Sequence, residues 1–126
     1  MRLSTRYDLV AIAALALLTA VDGLRGSAIA FPPFARMLLG AGPNFAAAIA
    51  IAFVGLCIWL ESLPDPRPPL RVRFIICLTV SGLGLVAWEF VQRSSRSLVF
   101  DPGDLIATAL GCAVAAAVFA AITPRA

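Results

Sequence analysis

Four long apolar runs, separated by short polar stretches, organise this chain. The first covers residues 9–21, LVAIAALALLTAV, between Asp8 and Asp22. It falls short of the about 20 residues that a helix needs to cross the hydrocarbon core. Arg6, Tyr7 and Arg25 flank it, and side chains of this kind reach the headgroups from inside the apolar layer. A span over 8–24 is therefore predicted. The second run, 43–60, opens on Pro43, a residue suited to a first helical turn. Trp59 near its end is an interface anchor. The third and fourth runs cover 72–92 and 102–122. The expected fold is an all-α polytopic membrane protein, four transmembrane helices in a small bundle.

Residues 27–42, SAIAFPPFARMLLGAG, lie between the first two runs. Adjacent prolines do not sit inside a regular helix, so Pro32 and Pro33 break one or start one. Phe31, Phe34, Met37 and Leu38 then recur at helical spacing. They predict a short interfacial helix lying on the membrane, with a hydrophobic loop as the alternative. The first run also admits a signal-peptide reading, with residues 1–6 as the basic segment and Ala28-Ile29-Ala30 as the cleavage site. Asp22 and Arg25, between run and site, speak against it.

Small residues mark where helices approach closely. Ala48, Ala52 and Gly55 form such a face on the second span, and Ser81 and Gly84 on the third. On the fourth, Thr108, Gly111 and Ala115 follow one another at spacings of three and four, until the bulkier Val118 and Phe119. The connection over 62–73 holds Pro64, Pro66, Pro68 and Pro69. It reads as a stiff, extended connector rather than a PxxP-type ligand.

Composition agrees with the pattern. The 126 residues are 61% hydrophobic and 13% charged, against roughly half and a quarter in soluble domains. A single membrane domain over 1–126 is expected. The net charge is +3, and every basic residue is Arg. These arginines are spread along the chain, unlike the clustered face of a nucleic-acid binder. Six lie beside the termini and the middle connection, and four beside the other two connections. By the positive-inside rule both termini are then cytoplasmic. Cys57, Cys77 and Cys112 sit singly in apolar runs and there is no His. No metal set, disulfide framework or cofactor is expected. Without His, the usual acid–base group near neutral pH is missing, and no nucleophile–base pair is visible. An enzyme reading, with Glu89 or Asp104 as general base, is therefore disfavoured. The span centres carry no Asp, Glu or Arg to mark an ion path, which disfavours a small transporter.

Most of the polar chemistry gathers over 89–111, EFVQRSSRSLVFDPGDLIATALG. Charged groups are expensive in lipid, so such a cluster is a candidate site. Glu89, Gln92, Arg93 and Arg96 stand at offsets 0, 3, 4 and 7, on one helix face. Glu89 is placed to pair with Arg93 one turn on. Asp101, Pro102 and Asp104 have the makings of a helix start, as N-cap, first and third residue. Thr108 continues the polar face one turn deeper. The connection is short, so the two arms lie near one another. Such a corner suits a polar lipid headgroup or a peptide-like ligand, although a paired helix end and ordinary capping explain part of its polarity.

At these residues the chain resembles the VanZ-like family of small bacterial membrane proteins. Its signature runs E-x-x-Q, then an Arg, an acidic residue, and D-x-x-x-N-x-x-G. Glu89 and Gln92 match the first part, Arg96 (or Arg93) the Arg, Asp101 and Asp104 the acidic pair, and Gly111 the Gly. Thr108 stands where Asn is typical, and the Lys-His pair often seen before the second span has no counterpart. The resemblance implies four spans in a bacterial cytoplasmic membrane, and the positive-inside rule then turns the polar corner outward. The family's namesake is linked to resistance to teicoplanin-class antibiotics, while most members have no known activity. The expected partners are membrane lipids, an envelope ligand or other membrane proteins, with no nucleic acid. A competing expectation is an accessory subunit of a larger membrane complex.

Overall fold

In an apolar layer a backbone polar group has no water to bond, so long apolar runs resolve into helices. The structure, a computed structural model, describes residues 1–94 and 102–125. Four helices account for most of them: α1 Leu3–Arg25, α2 Pro33–Ser62, α3 Leu70–Ser94 and α4 Pro102–Ile122. Each is long and apolar enough to cross a membrane. The described residues contain no strand. The protein is thus an all-helical, multi-pass membrane bundle. Helix α2 is its centre, packing against each of the other three, while α3 also contacts α4.

Helix α2 departs from expectation at its start. Residues 33–42 do not form a separate interfacial helix. They are the first turns of α2, and Pro43 lies inside the helix. Pro32 is the extended N-cap and Pro33 the first helical residue, where the missing N–H costs nothing. At Pro43 only the Leu39 carbonyl loses its usual partner. Ending the helix there would expose several carbonyls and amides in apolar surroundings, a larger cost. Packing supports the continuous helix as well. A Cβ at Gly42 would lie 3.0 Å from Val21 Cγ1, so α2 already crosses the last turns of α1 there. At 30 residues, α2 is about 45 Å long, well beyond a hydrocarbon core of about 30 Å. Its first turns expose Phe34, Met37 and Leu38, the same apolar side chains that suggested an interfacial segment.

The small faces sit at helix contacts. Ala48 and Ala52 are fully buried, and a Cβ at Gly55 would meet Cys77 Sγ at 3.4 Å. Thr108, Gly111 and Ala115 are buried on α4. On α3, buried Ser81 donates to the Ala48 carbonyl at 2.8 Å. A Cβ added at Gly84, however, would meet nothing within 4 Å, whereas one at Gly82 would lie 3.3 Å from Cys112 Sγ. The α3 interface therefore runs through Ser81 and Gly82 instead of Gly84.

Towards the end that carries both termini, each helix contributes one ring to an aromatic cluster. Tyr7 contacts Phe53 and Phe119, and Phe74 contacts Phe53 and Phe119. The closest pair, Phe74 and Phe119, stacks at 4.0 Å between centroids. All four are buried. Tyr7 is tied further by a 2.7 Å hydrogen bond between its hydroxyl and Thr123 Oγ1. Arg6 donates to the Ile122 carbonyl at 3.0 Å and so caps the end of α4. Tyr7→Phe keeps the ring and removes one hydrogen bond. It is expected to lower stability by about 1 kcal/mol, measured by denaturant unfolding in detergent.

Beneath the proline-rich connection lies Arg73, 3% exposed. Its Nε donates to Pro68 O at 2.9 Å, and its terminal nitrogens donate to the carbonyls of Leu63, Asp65 and Arg67. Its guanidinium also stands over the Trp59 ring at 5.7 Å. The connection is thus pinned by a side chain from the helix that follows it, in addition to its prolines.

Candidate functional site: a buried carboxyl between three helices

The inward face of α3 is set by residues three and four apart: Phe74, Cys77, Ser81 and, two turns further, Glu89. All are buried, because α3 turns this stripe towards α2 and α4. Glu89 is therefore carried into the bundle by the same register that buries Phe74. It is 1% exposed.

Its partner comes from α2. Asn44 Nδ2 donates to Glu89 Oε1 at 3.0 Å. Glu89 Oε2 is buried and has no hydrogen-bond partner among the described residues. The pairing with Arg93 expected from the i,i+4 spacing is thus replaced by an amide from another helix. Arg93 is exposed. A buried polar oxygen left without a partner costs about 1–3 kcal/mol, more if charged. In native proteins such groups are few and call for a reason.

The third wall is α4. Gly111 abuts Phe45 and Ala48, so Thr108, one turn nearer the start of α4, stands at about the level of Asn44. Thr108 is 2% exposed, and its hydroxyl donates to the Asp104 carbonyl at 2.9 Å. Asp104 lies in the first turn of α4, where a negative charge complements the helix dipole. It is half-buried, as is Gln92. Gln92, Arg93 and Asp104 each take part in further interactions. Arg96 and Asp101 lie outside the described residues.

Of the sequence-derived site, the structure therefore places Glu89 and Thr108 in the interior and Gln92 and Asp104 at its rim. Sequence reasoning missed Asn44, which anchors the site. A signal was present: Asn44 is the one polar side chain in the run 43–60. Beside Pro43, at an expected helix start, a polar residue is ordinary and draws no attention; inside a continuous helix it does.

Chemically, the corner offers a carboxyl with one acceptor oxygen in use and one open. Around it are an amide and a hydroxyl whose donor is already engaged. That suits binding of an N–H or O–H donor, or of a proton. Among the described residues, no group of three or more His, Cys, Asp or Glu could hold a metal ion. Compared with protein-family models, with curated proteins and with solved structures, the chain matches none.

Proposed function

We propose that this chain is a VanZ-like protein of a bacterial cytoplasmic membrane that binds an envelope component at the Glu89 corner. The observation that carries the reading is Glu89 Oε2, an acceptor buried between helices and without a partner among the described residues. A donor group of a polar lipid headgroup, or of a peptide-like ligand, would satisfy it. Arginine placement supports an outward-facing corner. Arg2, Arg6, Arg67, Arg71, Arg73 and Arg125 share the end that carries both termini, leaving Arg25, Arg36 and Arg93 at the other among the described residues. By the positive-inside rule the richer end is cytoplasmic. An accessory-subunit role has less support, because Ala48, Ala52, Gly111 and Ala115 are already covered inside the bundle.

Glu89→Gln tests this. The amide keeps an oxygen for Asn44 but turns the open acceptor into a donor. The full chain, extracted from its native membrane in mild detergent, is expected to carry a ligand mass adduct in native mass spectrometry. In Glu89→Gln, occupancy falls about tenfold or more, since hydrogen bonds to charged groups contribute about 1.5–3 kcal/mol. The melting temperature, measured alongside, reports whether the fold is kept. Equal adducts in a folded Glu89→Gln and the parent protein would overturn the reading.

A further inference from the structure

A second feature lies at the opposite end of the bundle, on its outer surface between α3 and α4. A groove of about 320 Å³ runs there, lined by Phe74, Ile75, Leu78, Ala116, Phe119 and Ala120, with Arg71, Thr123 and Arg125 completing its rim. Its shape follows from the sequence. Ala116 and Ala120, one turn apart on α4, leave space opposite Ile75 and Leu78 on α3, and the stacked Phe74 and Phe119 rings close the floor.

The charge at the rim is one-sided. Among the described residues, no carboxylate lines the groove. Arg71 and Arg125 are exposed, and neither takes part in a hydrogen bond or ion pair among the described residues. The ion pair of Arg25 with Asp22 lies at the other end of the bundle. Arg73, two residues from Arg71, is fully engaged with the connection. Arg71 and Arg125 are thus the cations left at the mouth of an apolar groove in a membrane protein.

We propose that this groove holds one anionic phospholipid, with its phosphate between Arg71 and Arg125 and the upper part of an acyl chain along Phe74, Leu78 and Ala116. Charge complementarity selects the occupant. A zwitterionic lipid brings a cation towards two arginines, whereas an anionic one brings none. The groove lies at the small end of ligand-pocket volumes, roughly 300–1,000 Å³, so it takes part of a chain and not a whole lipid. The site is independent of the Glu89 corner, which sits at the other end of the bundle.

The test is a lipid titration of the full-length, delipidated chain in mild detergent, followed by native mass spectrometry. The probes are phosphatidylglycerol and phosphatidylcholine with identical acyl chains, and inorganic phosphate as the free-ion arm. One phosphatidylglycerol is expected to bind in preference to phosphatidylcholine. Each arginine near an anionic headgroup is worth about fivefold. Arg71→Gln or Arg125→Gln should therefore weaken phosphatidylglycerol about fivefold, and the double variant roughly 25-fold. Arg71→Lys with Arg125→Lys should retain most of the preference, and Arg25→Gln at the far end should change nothing. Ala116→Phe, which fills the groove, should weaken both lipids. Equal affinity for the two lipids would overturn the proposal. So would a folded double Gln variant that binds phosphatidylglycerol as before, or millimolar phosphate that displaces the lipid completely, since the groove would then contribute nothing.

Discussion

Gly111→Val is expected to lower the unfolding free energy by about 3 kcal/mol or more, and Gly111→Ala by about 1–3 kcal/mol. A Cβ at this position would lie 2.5 Å from the Phe45 carbonyl oxygen and 2.8 Å from Ala48 Cβ. Neither neighbour can turn aside. One is backbone of the central helix, and the other is the Cβ of a fully buried residue. The helices must separate, and every contact along the seam weakens with them, since dispersion falls steeply with distance. Thr108 and Ala115, buried one turn to either side, would be uncovered in the same step. Gly84→Ala is the matched control, because a Cβ there meets nothing within 4 Å. Alanine is the better helix former by about 1 kcal/mol, so this variant should be neutral or slightly stabilising. Denaturant unfolding of all three in one detergent decides the matter.

Arg73→Ala is the second large effect, expected at about 3 kcal/mol or more. The substitution leaves the carbonyls of Leu63, Asp65, Arg67 and Pro68 without their shared donor and uncovers the Trp59 ring. Hydrogen bonds from a charged donor contribute about 1.5–3 kcal/mol each. They act on one side chain and do not add, so the total stays well below their sum. Arg73→Lys should recover only a small part. An ammonium has no planar fork to span several carbonyls and stacks poorly on a ring. Two readouts should move together: lower unfolding stability, and faster proteolytic cleavage within 63–69.

How far these features were legible in the sequence depended on whether they were carried by one helix or by several. The span 102–122 coincides with α4 Pro102–Ile122, and 72–92 lies within α3 Leu70–Ser94. Apolar length alone determines such segments, because the membrane leaves the backbone no other way to satisfy itself. Helix α1 is longer than the 9–21 run for a related reason. Arg6 finds a partner in the last residue of α4 and Tyr7 in Thr123 just beyond it, so the helix is extended by contacts the run itself does not contain. Around the start of α2, three prolines each signal a boundary, and only some of them make one. Pro32 and Pro33 do. Pro43 does not, since Gly42 packs against α1 and holds the helix together through it.

The site divides in the same way. Glu89 with Gln92, and Asp104 with Thr108, stand out as polar residues at helical spacing, a property of one stretch of sequence. That Glu89 pairs with Asn44, 45 residues away, depends on the packing of α3 on α2. Arg73 poses the same difficulty. In the sequence it is one of several charges that set orientation, and its burial follows only from the way the connection folds back over it.

The joint between Asn44 and Glu89 underlies the whole corner, and a double-mutant cycle tests it most directly. Unfolding free energies are measured for the parent chain, Asn44→Ala, Glu89→Ala and the double variant in one detergent. A buried amide–carboxylate bond predicts a coupling of about 1 kcal/mol or more between the two positions. Additive effects, within about 0.3 kcal/mol, would mean that the two side chains do not meet and that the corner does not exist.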